Sequence, residues 1–224
     1  MKRLENQALF HYPDKTIAWS LFEETTYPWE VLPKIHDFIL KTGKELPPEE
    51  YDQVGEHVWV AKTAKVAPTA FLGDCVIVGP DAEIRHCAFI RGNALIGANS
   101  VVGNSTELKN VILFDNVQVP HYNYVGDSIL GYRSHMGAGS ITSNVKSDRK
   151  LIRLTLGDAR IDTNMKKIGG LLGDYVEVGC GSIINPGSIV GCHTNIYPLS
   201  SVRGYVPDHS IYKEGNEIVA MRQD

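Results

Sequence analysis

The sequence predicts an all-β fold, a left-handed parallel β-helix built from hexapeptide repeats, with a small N-terminal helical cap and an inserted loop. Aliphatic residues recur at every sixth position in two unbroken series: Val60, Val66, Leu72, Val78, Ile84, Ile90, Ile96, Val102 and Leu108, then Leu172, Val178, Ile184, Val190, Ile196 and Val202. Position five of most hexads is small or β-branched, and position two is often Gly. Neither an α-helix nor an ordinary strand has that period. Three hexads would form one triangular coil rising by about 4.8 Å, so equivalent residues of successive coils are expected to stack.

The first 55 residues lack the repeat and are predicted to form a helical cap, residues 1–55. Their apolar residues follow helical spacing from Val31 to Ile39, and Thr42 and Gly43 are expected to end the helix. Terminal coils must be shielded from water and from edge pairing. We therefore expect the open end of the first coil to be covered by three tryptophans: Trp19, Trp29 and Trp59.

The β-helix itself is assigned to residues 56–207. Two of its sides have five residues instead of six, one after Leu108 and one after Val125. A polar and charged segment without hexad rhythm interrupts the coil at about 145–170. It is too long for a corner turn, so we expect a protruding loop or hairpin. Residues 208–224 are expected to leave the coil as a C-terminal tail.

Composition narrows the classes of partner. The 224 residues carry a formal net charge of −4 without a basic stripe, which argues against nucleic acid. No apolar segment approaches membrane-spanning length, and the N-terminus lacks the apolar core of a secretion signal, so we expect a cytoplasmic protein without a membrane partner. The four cysteines form no Cys-x-x-Cys pair, which favours small buried thiols over disulfides or a zinc site.

Two cations are expected to stand together on one face of the coil. If each short side counts as a full side, Arg91 and Lys109 both occupy position two of a hexad, one coil apart. Like charges about 5 Å apart are unfavourable unless an anion lies between them, and an Arg fork beside a Lys suits a phosphate. The spacing therefore favours a phosphate site, although a solvated pair of surface cations would give the same pattern.

His121 is the candidate for acid–base chemistry. It is expected on the side that leads to the corner before that face, with Asn104 one coil below and Ala138 one coil above. Glu107 and Tyr124 are expected at the corner itself, again one coil apart. An imidazole without a bulky neighbour has room for a substrate, and His is the side chain most often used in acid–base catalysis. A lone His can equally be structural or simply exposed.

The segments IRGNALIGANSVVGNSTELKN and VPHYNYVGDSILGYRSHMGAGSITSNVKSDRK closely resemble the acetyltransferase domain of the bifunctional enzyme that makes UDP-N-acetylglucosamine. That domain is a glucosamine-1-phosphate N-acetyltransferase of the left-handed β-helix acyltransferase family. The resemblance runs without a gap from Arg91 to Lys150 and includes both five-residue sides. It implies acetyl-CoA as co-substrate, a sugar phosphate as small-molecule partner and a homotrimeric assembly.

The resemblance also implies roles for single residues. His121, in the motif H-x-x-Y-x-G-D, corresponds to the family's catalytic base, and Glu107 corresponds to its supporting carboxylate. Contacts with the sugar phosphate are implied for four residues: Arg91, Lys109, Tyr124 and Lys150. Contacts with acetyl-CoA are implied for three residues of the element G-A-G-S-I-T-x-N: Ala138, Gly139 and Asn144.

Departures from the family bear on the substrate. His135 stands where the family has an Asn that contacts the sugar, and Val145 replaces the aromatic residue after Asn144. A different sugar is therefore expected, with His135 among its contacts. The segment after Lys150 has no counterpart in the bifunctional enzyme but is similar to standalone β-helix proteins related to sugar-nucleotide pyrophosphorylases. No Gly-rich G-x-G-T-[KR] loop opens the chain, so we do not expect it to form nucleotide sugars.

The mechanism that fits is direct acetyl transfer from acetyl-CoA to a sugar-phosphate amine or hydroxyl, with His121 removing the proton. A backbone N–H between Gly137 and Gly139 is a candidate for stabilising the oxyanion. Two alternatives remain. A γ-type carbonic anhydrase would need two His residues five positions apart, which the sequence lacks, so no metal site is expected. A non-catalytic β-helix that binds a sugar phosphate or nucleotide sugar is the stronger rival.

Overall fold

The computed structural model of the chain describes residues 2–156 and 159–221. Three α-helices lie near the N-terminus: α1 Asn6–Leu9, α2 Trp19–Glu23 and α3 Ile35–Glu45. Short 3-10 helices span Lys2–Leu4, Pro13–Lys15, Pro28–Glu30, Leu32–Lys34 and Glu214–Asn216. None of the described helices is long and apolar enough to cross a membrane.

The rest of the described chain is built from short strands. Those before the insertion are β1 Tyr51–Gly55, β2 Val58–Ala61, β3 Lys65–Val66, β4 Phe71–Val78, β5 Glu83–Ile84, β6 Phe89–Ile96, β7 Val101–Asn104, β8 Glu107–Leu113, β9 Gln118–His121, β10 Tyr124–Leu130, β11 His135–Met136 and β12 Ile141–Thr142. The insertion contains β13 Arg153–Leu156 and β14 Ala159–Asp162. The remaining strands are β15 Gly170–Leu172, β16 Glu177–Val178, β17 Ile183–Ile184, β18 Ser188–Val190, β19 Asn195–Ile196, β20 Ser201–Val202, β21 Tyr205–Val206, β22 Ser210–Tyr212 and β23 Ile218–Ala220.

The strands stack in parallel as the three sides of a coil, which confirms the predicted β-helix. The first side contains β3, β5, β7, β9, β11, β16, β19 and β22. The second side contains the first halves of β4, β6, β8 and β10, followed by β12, β17 and β20. The third side begins with β2, continues through the second halves of β4, β6, β8 and β10, and ends with β15, β18 and β21.

The core follows the hexad rule. The aliphatic residue of nearly every hexad points inward and is buried, as Ile90, Leu108 and Val125 show in successive coils. The strands β8 and β10 are one residue shorter than β4 and β6, as the two five-residue sides predict. This shortening produces a register shift between β6 and β8, at the residues Ile90 and Gly92.

The N-terminal helices lie along the third side of the coil. This side also has an outward-facing apolar column, and each of its members is at most 1% exposed: Ile77, Leu95, Ile112, Ile129, Leu171 and Ile189. Helix α3 packs across β4, β6 and β8, and the carbonyl of Leu9 accepts a hydrogen bond from the Cys192 thiol further along the coil. The expectation that the cap covers the open end is therefore wrong, because the apolar column needs the cover instead.

Helix α3 does not end at Thr42 and Gly43, as the sequence suggested, but continues to Glu45. Gly43 lies against the indole of Trp59, where a Cβ would come within 2.3 Å of the ring. The glycine therefore permits a close approach of helix and coil instead of stopping the helix.

Antiparallel strands pair with the first and last coils. At the start, β1 pairs with β2 on the third side. At the end, β22 extends the first side beyond the expected boundary at residue 207, and β23 pairs with β22. Covering a terminal strand in this way limits pairing with another chain.

The insertion leaves the coil after β12 and returns at β15. Its strands β13 and β14 form an antiparallel pair. Ile152 and Leu154 are buried, and a Cβ at Gly187 would lie 2.7 Å and 3.0 Å from their side chains. The hairpin thus packs against the coil on one face.

The four cysteines are free thiols. Cys75 and Cys192 are buried, in agreement with the expectation, whereas Cys87 and Cys180 are exposed. The expectation of buried thiols is therefore wrong for Cys87 and Cys180.

Candidate functional site

The structure gathers several of the sequence-predicted residues on the second side and at the corner that follows it. Glu107 in β8 lies directly opposite Tyr124 in β10. Arg91, in β6, donates from Nη1 to Oε1 of Glu107 at 2.9 Å. The adjacent strands therefore bring a guanidinium, a carboxylate and a phenol together on one wall.

The two predicted cations do not stack directly on one another. The register shift places Lys109 opposite Gly92, so Arg91 lies at the irregularity between the strands. Each cation also has a carboxylate of its own, because Nζ of Lys109 lies 2.7 Å from Oδ1 of Asp127. The expectation of a bare cation pair is corrected accordingly: the chain supplies both counter-anions itself.

Asp127 is a residue of the candidate site that the sequence analysis missed. It is 4% exposed and lies one coil above the Lys109 region. Its carboxylate also accepts hydrogen bonds from Nδ2 of Asn110 at 3.1 Å and from Nδ2 of Asn144 at 2.6 Å. The Asp of the H-x-x-Y-x-G-D motif was a usable signal, since a carboxylate at a buried corner requires partners.

Tyr124 is held as a neutral phenol. Burial raises its pKa, and the negative charges of Asp127 and Glu107 raise it further. Its hydroxyl oxygen accepts a hydrogen bond from Nδ2 of Asn144 at 3.2 Å. The phenol can therefore donate its own proton to a ligand oxygen. The Asn144 amide, expected to contact acetyl-CoA, is engaged by Tyr124 and Asp127 in this structure.

His121 ends strand β9 on the first side and lies opposite Asn104, as expected. Its side chain is exposed, and within residues 2–156 and 159–221 no side chain hydrogen-bonds the imidazole. Gly103 lies under the same strand, and a Cβ there would come within 1.5 Å of the Pro120 carbonyl oxygen. The close approach of these strands fixes the backbone that carries the ring. Glu107, expected near the imidazole, is instead bonded to Arg91.

Asn123 connects His121 to the turn above it, a role that the sequence analysis did not assign. Its Oδ1 accepts from the His121 amide at 3.0 Å. Its Nδ2 donates to the carbonyls of Gly137 and Ser140 at 2.9 and 3.0 Å. This buried amide therefore fixes the spacing between His121 and the Gly137–Ser140 turn.

The Gly137–Ser140 turn lies above His121 and exposes Ala138 and Gly139. Gly139 has a φ of +70° and open space where a Cβ would lie. Its amide donates to the His121 carbonyl at 3.0 Å, and the Gly137 amide donates to the Val178 carbonyl at 2.7 Å. These two amides are therefore not free to stabilise an oxyanion. The Ala138 amide, the third in this region, donates to no carbonyl among the described residues and remains the candidate for that role.

His135 lies away from this group, in β11 on the first side. Its Nδ1 lies 2.8 Å from Oε2 of Glu177, which is its direct neighbour in β16. The pair borders a recess of about 440 Å³ together with Arg133, Tyr175 and two amides, Asn116 and Gln118. Within one chain, the structure does not bring His135 to the Arg91, Lys109 and Tyr124 group.

Lys150 lies at the start of the insertion and is exposed. Its amide donates to Oδ1 of Asp148 at 3.0 Å. A turn that begins at Lys146 precedes it and is closed by the Arg149 amide, which donates to the Lys146 carbonyl at 2.9 Å. Because Asn144 precedes this turn and bonds Tyr124 and Asp127, the turn begins next to the site.

One group of potential metal ligands occurs among the described residues: His11, Asp174 and Cys192. The Asp174 carboxylate accepts from the amides of His11 and Tyr132, at 2.6 and 2.8 Å. Burial raises the pKa of the Cys192 thiol to about 12. A protonated thiol and a carboxylate bonded to two amides suit the docking of the N-terminal segment better than the binding of a metal.

The chain is similar in sequence to known proteins. Over 94 residues the chain is 32% identical to a bifunctional sugar-1-phosphate nucleotidylyltransferase/acetyltransferase of Sulfurisphaera tokodaii, covering 42% of this chain and 23% of that protein. Over 88 residues it is 36% identical to the bifunctional protein GlmU of Methanocaldococcus jannaschii, covering 39% and 21%. The match thus spans less than a quarter of either relative.

A hexapeptide transferase family protein from Anaplasma phagocytophilum is similar in structure, with a TM-score of 0.43 and 15% identity over 75% of this chain and 82% of that one. The GMPPB C-terminal domain matches residues 75–198, more than half of the 224 residues. The sequence-based resemblance to β-helices related to sugar-nucleotide pyrophosphorylases and acetyltransferases is confirmed, and the chain belongs to the GMPPB C-terminal domain family.

Proposed function

We propose that this chain is a hexapeptide-repeat acetyltransferase that uses acetyl-CoA to acetylate an amino-sugar phosphate similar to glucosamine 1-phosphate. The observation that carries the proposal is the exposed His121 imidazole, which no described side chain engages, beside a wall that offers Tyr124 and Arg91. The name of the Sulfurisphaera tokodaii relative, a sugar-1-phosphate nucleotidylyltransferase/acetyltransferase, supports a sugar-phosphate substrate and acetyl transfer.

His121 acts as the general base in this proposal. An ammonium has no lone pair, so neutral imidazole first takes one of its protons, and the free amine then attacks the thioester carbonyl. Once the C–N bond has formed, the nitrogen loses a second proton as the C–S bond breaks. The departing CoA thiolate takes this second proton and leaves as the thiol, and the imidazolium releases the first proton to solvent. Asn123 acts indirectly, because it fixes the His121 backbone to the turn above.

The sugar phosphate is oriented by the wall of the second side. Tyr124 offers a phenolic donor, and Arg91 retains further N–H donors beside its bond to Glu107. Lys109 contributes positive charge, Lys150 approaches on the insertion, and His135 contacts the sugar. Alignment of the amine with the thioester lowers the entropic barrier to transfer.

Acetyl-CoA lies beside the turn that exposes Ala138 and Gly139, next to His121. The open space at Gly139 allows the chain of the co-substrate to approach the backbone. Asn144 then serves mainly to hold Tyr124 and Asp127 in place.

The active assembly in this proposal is a homotrimer, in which a neighbouring copy brings His135 to the site. One wall of a β-helix is flat, and substrate sites are concave. Phe71 and Phe89 form an exposed aromatic pair on the second side, with ring centroids 5.5 Å apart and planes tilted by 56°, which a second copy would cover. Sedimentation equilibrium is expected to report three chains per particle, and an active monomer would contradict this assembly.

The test of the activity is a thiol-release assay with acetyl-CoA and a panel of amino-sugar phosphates, each compared with its unphosphorylated sugar. We expect release with at least one phosphate and much less with its unphosphorylated partner. Mass spectrometry of the acetylated product distinguishes N- from O-acetylation. No release with any member of the panel would reject the proposed reaction.

A non-catalytic module that binds a sugar phosphate or nucleotide sugar is the second candidate. It is favoured by the pairing of Glu107 with Arg91 instead of His121, and by the use of the Gly139 amide within the coil. Calorimetric binding of glucosamine 1-phosphate without thiol release would support this candidate.

A further inference from the structure

We propose that Asp127 is a positioning residue that joins both ends of the insertion to Lys109, and so holds the basic turn with Lys150 at the sugar-phosphate site. Its consequence for the binding of a sugar phosphate rests on the function proposed above. The structural tie, meaning the contacts of Asp127 with both ends of the insertion, does not depend on that function. It can be measured by hydrogen exchange without a substrate.

The Asp127 carboxylate is too well buried to be a surface charge. Its side chain is 6% exposed, while that of Lys109 is 27% exposed. A buried carboxylate is tolerated only when its oxygens have partners. Oδ1 accepts from Lys109 at 2.7 Å and from Asn110 at 3.1 Å, and Oδ2 accepts from Asn144 at 2.6 Å. The residue is thus fully engaged between the coil and the first residue before the insertion.

The other end of the insertion returns to the same residue. The Gly169 amide donates to the backbone carbonyl of Asp127 at 2.7 Å. A Cβ at Gly169 would lie 2.2 Å from the Gly126 carbonyl oxygen, so this contact requires glycine. The two ends also bond each other, because the Ile168 amide donates to the Asn144 carbonyl at 3.1 Å. Asp127 is therefore the point at which the insertion leaves and rejoins the coil.

The insertion supplies the positive charge that the coil lacks. Residues 145–170 contain seven Lys or Arg and three Asp, in a chain whose net charge is −4. On the coil, Arg91 and Lys109 each have a carboxylate partner. A phosphate at this wall therefore depends on cations of the insertion, and the turn from Lys146 to Lys150 begins two residues beyond Asn144.

The test combines Asp127→Asn and Lys150→Ala in a double-mutant cycle. Calorimetry measures the affinity of each protein for glucosamine 1-phosphate and, separately, for acetyl-CoA. Charge-assisted contacts are worth about 1.5–3 kcal/mol, so each single variant is expected to weaken glucosamine 1-phosphate binding by about tenfold or more. The double variant is expected to bind no more weakly than Lys150→Ala alone, and acetyl-CoA affinity should stay unchanged in all three.

Hydrogen exchange of residues 144–169 is the readout that needs no ligand. Asp127→Asn is expected to accelerate exchange in this segment, whereas Lys150→Ala leaves it unchanged. Glu83→Gln is the matched control, because it neutralises a carboxylate that pairs with Arg85 on the first side, away from the insertion. If Asp127→Asn fails to fold, Asn144→Ser cuts the same tie while retaining the pair of Lys109 and Asp127.

The outcomes separate this proposal from the proposed function. Additive losses in the cycle, or faster exchange with unchanged glucosamine 1-phosphate affinity, would overturn the positioning role. If the wild-type protein does not bind glucosamine 1-phosphate, that substrate is wrong, and the exchange comparison decides the tie alone. Unchanged exchange in both Asp127→Asn and Asn144→Ser would then reject it.

Discussion

Single hydrogen bonds determine which side chains of the candidate site remain available to a ligand. Arg91 and Lys109 are each paired with a carboxylate, while the His121 ring is not engaged by the part of the chain described here. The sequence predicts the position of His121 above Asn104, because parallel strands in a repeating coil keep their register. It does not predict the ion pairs, since they depend on a register shift of one residue between β6 and β8.

A buried carboxylate gives the first prediction. Burial raises the pKa of Asp174 to about 6, from an ordinary value of 3.8, although two backbone amides donate to it. Below pH 3.8 the folded and unfolded states both hold the proton. Between pH 3.8 and 6 the unfolded state releases it first, so the stabilising contribution of this group falls as the pH rises. Above pH 6 both states have released the proton. The contribution of Asp174 to the free energy of unfolding is then about 3 kcal/mol lower than below pH 3.8.

Asp174→Asn removes this titration, so the free energy of unfolding should be measured by urea denaturation of both proteins from pH 4 to pH 7. The wild-type value minus the variant value is expected to decrease as the pH rises. In the variant, the side-chain amide group faces the two backbone N–H donors. This lowers the free energy of unfolding by the same amount at every pH, so the slope of the difference against pH is unaffected. A difference that increases with pH would show that the hydrogen bonds from the two backbone amides lower the pKa of Asp174 more than burial raises it.

At the level of elements, the insertion is more closely integrated than hexad counting can show. Its approximate extent follows from the loss of the repeat in the sequence, which left open whether the segment is a loop or a hairpin. Its packing does not, because a segment without the repeat has no position fixed by the register. Ile152 and Leu154 pack toward Gly187, so one face of β13 belongs to the core while the other is exposed.

Leu154→Ala is therefore expected to lower the free energy of unfolding by about 2–5 kcal/mol, through lost contacts and a cavity. Thr155→Ala, the next residue of β13, is exposed and should change it by less than about 0.5 kcal/mol. Urea denaturation at neutral pH measures both. Equal stabilities of the two variants would mean that the hairpin does not pack on the coil.

At the level of the whole molecule, the third side of the coil is apolar on both of its surfaces. The sequence contains the signal as consecutive apolar residues on every third side, for example Val76 to Val78 and Val111 to Leu113. Alternation would leave the middle residue in water unless another element covered it. This pattern, missed in the sequence analysis, predicts that the N-terminal helices lie along the side of the coil and not over its end.

Removal of residues 1–45 should expose the outward apolar column from Ile77 to Ile189. The shortened chain is expected to bind a hydrophobic dye and to aggregate at concentrations at which the full chain remains dispersed. Light scattering and dye fluorescence measure this. A monodisperse shortened protein with the melting temperature of the full chain would contradict the assignment of the helices to the third side.

The central claim is that His121 is the general base of an acetyl transfer, and the pH dependence of turnover in His121→Ala tests it most directly. His86→Ala is the matched control, because His86 is exposed and lies one coil below Asn104 in the same stack. Turnover of His121→Ala at neutral pH is expected to fall by about 10² or more, with unchanged melting temperature. The loss should shrink at high pH, where the substrate amine loses its proton unaided. Acetylation at the wild-type rate by His121→Ala at neutral pH would contradict the mechanism and favour the non-catalytic sugar-phosphate module.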